Sequence, residues 1–132
     1  MNRQLAPFLA VGLMACTSGG TAADLVPTGS WGGEHVRLTV SDTGGNVEFD
    51  CAHGTLDAPL KVDTEGRFNV PGSLVREGGP VMPGREGDKQ SVRYSGRLSG
   101  SSMDLDLLAE AGDSLGSFRL KLGDAGKLLK CL

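Results

Sequence analysis

The chain has 132 residues, with 13 basic and 16 acidic side chains and a formal net charge of −3. Charges of both signs are interspersed, no Lys/Arg run appears, and one Trp and one Tyr make no aromatic platform, so the usual footprint of a nucleic-acid binder is missing. The length suits one domain, and about 100 folded residues give a core that is marginal if burial alone holds it.

The chain opens on a targeting segment. Met1-Asn2-Arg3 is a short basic start, and the apolar run from Leu5 to Ala15 is about 11 residues, too short for the roughly 20 that span a membrane. Leu13-Met14-Ala15-Cys16 resembles a bacterial lipobox, in which the cysteine is lipidated and becomes the first mature residue. The expectation is a signal peptide over 1–15, a lipid on Cys16 with a small, polar, flexible tether over 16–30, and a folded domain over 31–132. The membrane partner is reached through that lipid. Thr17 in place of Asp points to the outer membrane of the cell envelope where the cell has one; ordinary secretion after Thr21-Ala22-Ala23 is the alternative. With Cys16 assigned to lipid, Cys51 and Cys131 remain as a pair in an oxidising compartment, which predicts a disulfide. It closes a loop of about 80 residues, for which the chain-entropy treatment gives roughly 4–5 kcal/mol.

Beyond the tether, period-two alternation dominates. Val36, Leu38 and Val40 share one face; after Asp42-Thr43-Gly44-Gly45, Val47, Phe49 and Cys51 share another. Leu60 and Val62 form a short run, Asp63-Thr64-Glu65-Gly66 reads as a tight turn, and Phe68 and Val70 follow until Pro71-Gly72 breaks the strand. Leu74-Val75 starts another piece. Residues 76–90 read as a surface loop of about 15 residues, long enough to serve as a lid or binding loop. Val92, Tyr94, Gly96 and Leu98 then alternate with polar residues, Gly100-Ser101 suits a two-residue turn, and Met103, Leu105 and Leu107 return. Phe118, Leu120 and Leu122 precede a last run, Lys127 to Cys131. About eight strands with short connections predict an all-β, antiparallel up-and-down β-barrel, which removes its edges by closing. Its Cys51 strand and Cys131 strand flank the first, so the bridge fits the meander.

Chemistry-bearing residues are few. His53 continues the phase of Val47, Phe49 and Cys51 and so is expected to face the barrel or its mouth, with Asp50 and Asp57 close in sequence. A His with a carboxylate could do acid–base work or join a metal site, but a rim histidine bonded to a turn carbonyl explains it more simply. His35 falls on a polar phase. No nucleophile has a recognisable setting, Asp104 and Asp106 read as a solvated strand face opposite Arg97 and its basic neighbours, and no cofactor or metal is implied.

Gly29-Ser30-Trp31 resembles the Gly-x-Trp start of lipocalin- and avidin-like barrels, in which the Trp plugs one end. Trp31 to His35, Phe49 to Gly54 and the Lys130-Cys131-Leu132 end are similar to an uncharacterised family of bacterial secreted proteins, which implies no activity. Phe49-Asp50-Cys51 and Cys131-Leu132 resemble lipoprotein inhibitors of C-type lysozyme, small lipidated barrels with a disulfide from an early strand to the end. That family's inhibitory loop carries Ser-Gly-x-x-Tyr; here Ser91 to Gly96 holds those elements in another order, so the resemblance carries mainly the architecture. The expected function is therefore non-enzymatic binding. A small apolar ligand or cell-wall fragment would enter the barrel mouth, with Trp31, His53, Tyr94, Arg76 and Arg85 as the binding residues. A protein-binding module such as a lysozyme inhibitor is one alternative, and a small hydrolase or metal site centred on His53 another.

Overall fold

A computed structural model describes residues 24–77 and 89–131. It contains ten strands, β1 (Asp24–Leu25), β2 (Gly29–Gly33), β3 (Val36–Ser41), β4 (Gly44–Phe49), β5 (Ala52–Leu56), β6 (Lys61–Val62), β7 (Arg67–Arg76), β8 (Lys89–Ser99), β9 (Ser102–Ala109) and β10 (Ser114–Leu122). Eight of them close an antiparallel barrel in the order β10-β2-β3-β4-β5-β7-β8-β9, and β1 and β6 pair as a separate ribbon. Cys51 and Cys131 form the one disulfide, with Cα atoms 5.1 Å apart. The all-β barrel with its bridge is the architecture that the alternating pattern predicts.

The register defines two unlike ends. Gly29, Val40, Gly45 and Leu56 are successive partners at one end; Gly33, Val36, Phe49, Ala52 and Arg76 are partners at the other. The first end is plugged. Val26 and Leu60, each 2% exposed, join the core there, the Val26 amide donates to the Leu60 carbonyl at 2.9 Å, and the Trp31 indole donates to the Pro27 carbonyl at 3.0 Å. The second end carries the disulfide and is called the strap end below.

Side chains fill the interior. Trp31, Val36, Leu38, Tyr94, Leu105 and Leu120 are all 0% exposed, so no void that admits a water-sized probe touches them. Tyr94 reaches across to donate from its hydroxyl to the Ser73 carbonyl at 2.7 Å. Burial, with a smaller effect from Asp57, pushes its phenol pKa well up. Room for that ring comes from glycine. A Cβ on Gly72 would lie 2.7 Å from Tyr94 Cε2, and one on Gly54 would collide with the Tyr94 hydroxyl. Gly96 does the same for Phe68, whose Cζ is 2.5 Å from the position of a Cβ.

Several strands differ from the sequence reading. Ala52–Leu56 is a barrel strand, β5, with Gly54 at an inward position that Tyr94 occupies from β8, two strands along the wall. Pro71 and Gly72 do not interrupt β7. In an antiparallel strand a residue's amide and carbonyl point to the same neighbour; the Pro71 carbonyl accepts from Asp57 just past the end of β5, so the missing amide costs only the reciprocal bond to Asp57, outside the β5–β7 ladder. Leu60 and Val62 belong to the plug rather than the wall. Cys51 lies in the β4–β5 turn, and Cys131 ends an irregular segment rather than a strand. The tight turn before β7 stands: Gly66 has φ 81°, and the Asp63 carboxylate accepts from the amides of Glu65 (2.8 Å) and Arg67 (2.9 Å). The cross-strand row Arg97–Asp104–Arg119 also stands, with Arg119 Nε 3.1 Å from Asp104 Oδ1. Such an exposed pair is worth a few tenths of a kcal/mol.

Candidate functional site

After β10, residues 123–131 run as a strap over the outside of the barrel at its disulfide end. The strap lies flush because both surfaces lack side chains where they meet: a Cβ on Gly32 would run into the backbone of Asp124 and Gly126, and one on Gly126 into the Val36 carbonyl. The Lys127 amide donates to the Gly33 carbonyl (3.0 Å), the His35 amide to the Lys127 carbonyl (2.8 Å), and Arg37 Nε to the Ala125 carbonyl (2.7 Å). His35 closes the β2–β3 turn with φ 68°, a conformation that glycine takes at less cost.

Two histidine–carboxylate pairs stand on this end. His35 Nδ1 is 2.6 Å from Asp50 Oδ2, while the other Asp50 oxygen accepts from the Leu129 amide at 2.8 Å. His53 Nδ1 is 2.5 Å from Glu77 Oε2, while Glu77 Oε1 is 2.9 Å from Lys130 Nζ. Lys130 also donates to the Phe49 carbonyl at 3.0 Å. The Leu129 amide, followed by His35, holds the Asp50 carboxyl below its ordinary range, and Lys130, followed by His53, does so for Glu77. Both carboxylates are therefore acceptors at neutral pH, so the Nδ1 atom of each ring carries the proton it donates.

Beside the second pair and Lys130 lies an open groove of about 350 Å³. Its floor is the paired backbone of Val47 and Gly54; its walls are Asn46, Glu48, His53 and Thr55; Glu77 and Lys130 stand at the strap. The arrangement offers amide, hydroxyl, carboxylate, imidazole and ammonium groups to a polar ligand. It does not gather a nucleophile against a base. Among the described residues no group of three or more His, Cys, Asp or Glu comes together to hold a metal ion.

The residues expected to bind fall in different places. Trp31 and Tyr94 are core side chains with no exposed surface. His53 faces outward, opposite Glu48, because the turn at Asp50-Cys51 resets the alternation that had pointed it inward. Arg76 is exposed at the end of β7, and Arg85 and Cys16 lie outside the described residues. Neither Asp50 nor Asp57 is the partner of His53: Asp50 bonds His35, and Asp57 accepts from Thr55 Oγ1 at 2.7 Å. Glu77, Lys130 and Glu48 complete the site, and nothing in the linear spacing of these residues joins them. Comparison of the chain with protein-family models, with curated proteins and with solved structures found no match in any of the three.

The carboxylates set a pH dependence. Asp50, Glu77 and also Asp63, which the Arg67 and Glu65 amides hold low, each have a folded pKa below the unfolded value. Their stabilisation is thus present above the ordinary carboxylate range and is lost as pH falls through the depressed values. The urea midpoint is expected to fall on acidification below about pH 4 and to change little between about pH 5 and 7 from this source. In Asp50→Asn the acid limb should be shallower. An identical acid limb in wild type and variant would remove Asp50 from the account.

Proposed function

We propose that the chain is a lipid-anchored envelope module that binds a protein partner with the strap end of its barrel. The filled interior is the observation that carries this reading. Side chains that would line a ligand cavity are buried against one another, which leaves the outer surface as the place for recognition. β2 enters the barrel at the plugged end, so a domain anchored through Cys16 would hold the strap end away from the membrane. That end offers Leu129, 72% exposed, beside the His35, Asp50, His53 and Lys130 side chains, an apolar anchor within a charged rim. The resemblance to lysozyme inhibitors makes C-type lysozyme the first partner to test.

Titration calorimetry of residues 24–132 with C-type lysozyme is expected to give a Kd tighter than about 10 μM. Leu129→Asp, at an exposed position, should weaken it tenfold or more, a loss of about 1.4 kcal/mol. No heat at concentrations near 100 μM would reject this partner. Saturable uptake of a fatty acid or of an apolar dye by the native barrel would reject the packed-module reading altogether. The anchor is tested separately: Cys16→Ser should abolish incorporation of labelled fatty acid. A second reading rests on the outer groove. Its volume of about 350 Å³ and its amide, hydroxyl and carboxylate walls suit a cell-wall saccharide fragment, whose binding His53→Ala and Asn46→Ala would weaken.

A further inference from the structure

One seam of the barrel is much shorter than the rest. β10 and β2 share two paired positions, Lys121 with Gly32 and Leu122 with Trp31, whereas every other pair of barrel strands shares from five to nine. One further bond, from the Gly123 amide to the Ser30 carbonyl at 2.7 Å, extends it. Three of the five residues of β2, Gly29-Ser30-Trp31-Gly32-Gly33, are glycine, and Gly33 lies so close to β10 that a Cβ would collide with the Arg119 carbonyl.

The strap lies over this seam. It leaves β10, covers Gly32, bonds both sides of the β2–β3 turn, passes Asp50 and ends on Cys51 through Cys131. The disulfide therefore ties the free end of β10 to the far side of β2 and β3. Cys131 is exposed and Cys51 is half-buried, so a reductant approaches the bridge from the Cys131 side. Apart from the disulfide, the strap is held by surface hydrogen bonds, by the Lys130 ion pairs with Glu77 and Glu48 and by the flush backbone contact at Gly32.

We infer that the Cys51–Cys131 bridge is a redox latch on the β2–β10 seam, and that its reduction opens the barrel there while β3–β9 stay folded. The reductant is a dithiol. One of its thiolates attacks Cys131 Sγ, the S–S bond breaks, and Cys51 leaves as a thiolate that takes up a proton. The second thiol of the reductant then displaces Cys131 from the mixed disulfide. Two electrons and two protons pass to the protein, which gains two thiols, and the dithiol becomes a disulfide. With the strap released, the β2 and β10 edges lose the cover that compensates for their short ladder, and each presents unpaired backbone groups to another strand.

The test is hydrogen exchange read by mass spectrometry on the oxidised protein, on the same protein reduced with dithiothreitol, and on the reduced sample after reoxidation. Amides in 29–33 and 114–131 are expected to exchange about tenfold faster or more after reduction, those in 67–76 and 89–99 within about twofold of the oxidised protein, and reoxidation should restore protection. Cys131→Ser should match the reduced wild type. A uniform rise across all strands in a reduced protein that keeps the circular dichroism of the oxidised one would overturn the proposal, since the bridge would then be a staple on the whole domain. Unchanged exchange at β2 and β10 would overturn it too. If the reduced chain unfolds in buffer, the measurement is repeated in trimethylamine N-oxide, which favours the compact state. Protection regained there in all strands together, with none lagging at the seam, counts against the latch.

Discussion

Gly72→Ala is expected to cost at least about 3 kcal/mol, the upper part of the range for overpacking a filled interior, and to leave little folded protein at 37 °C. The added methyl would meet Tyr94 Cε2 at 2.7 Å and would collide with the Thr55 carbonyl on the neighbouring strand. Tyr94 cannot swing away, because its ring is fully buried and its hydroxyl is held on Ser73. Gly54→Ala is expected to behave alike, since its methyl would strike that hydroxyl and the Ser73 carbonyl. Gly100→Ala makes the useful contrast. Gly100 has φ 62° and nothing within 4 Å of an added Cβ, so the cost there is only that of a left-handed alanine, about 1–2 kcal/mol. Urea unfolding of the three variants separates crowding from backbone conformation. Similar losses at Gly72 and Gly100 would refute the claim that glycine makes space for Tyr94.

Trp31→Ala is expected to lower stability by about 4–5 kcal/mol, the upper end for a large aromatic removed from a core. The side chain is 0% exposed and ties the wall to the plug through Pro27. Its loss leaves a cavity between the barrel and the ribbon of β1 and β6, and it leaves a carbonyl without its donor. Trp31→Phe keeps most of the volume and loses the hydrogen bond, for which about 1–2 kcal/mol is expected. Chemical unfolding followed by far-ultraviolet circular dichroism measures both, since the variants lack the sole Trp. Because no part of Trp31 reaches the surface, the Phe variant should bind any partner of the strap end as wild type does. Weaker binding by a fully folded Phe variant would show that the ring has a role beyond the core.

The barrel was legible wherever alternation ran over long, apolar inward positions: Val36 to Val40, Val92 to Leu98, Met103 to Leu107 and Phe118 to Leu122. It was illegible where the inward position is empty. β5 reads as Ala-His-Gly-Thr-Leu, and its Gly54 faces inward to make room for a ring that arrives from β8, so the strand has no apolar stripe of its own. Pro71-Gly72 misleads for a related reason. The proline sits where its neighbour strand has already ended, and the glycine is another clearance for Tyr94. The aromatics Trp31 and Tyr94 looked like binding residues because they are the only large polar-tipped rings, but each spends its polar tip on a backbone carbonyl inside the fold. The site was hidden by distance along the chain. Glu77 meets His53 from 24 residues away and Lys130 meets Phe49 from 81, and no local pattern encodes either contact. The disulfide was readable from the number of cysteines and the compartment expected of the chain, though the shape of its C-terminal arm was not.

The meander also arranges assembly in time. Seven of the eight barrel seams join strands that follow one another around the wall, and one of the longest, β8 with β9, can zip from its own turn at Gly100. The eighth must bring residue 121 to residue 32, so it waits until β10 has been made. Through that interval β2 is a naked edge, the kind of surface on which nascent chains pair wrongly with one another. A strand of five residues, three of them glycine, is a poor template for such pairing. The brevity that weakens the finished seam thus protects the unfinished chain: the strand left longest without its partner is the one least able to recruit a stranger.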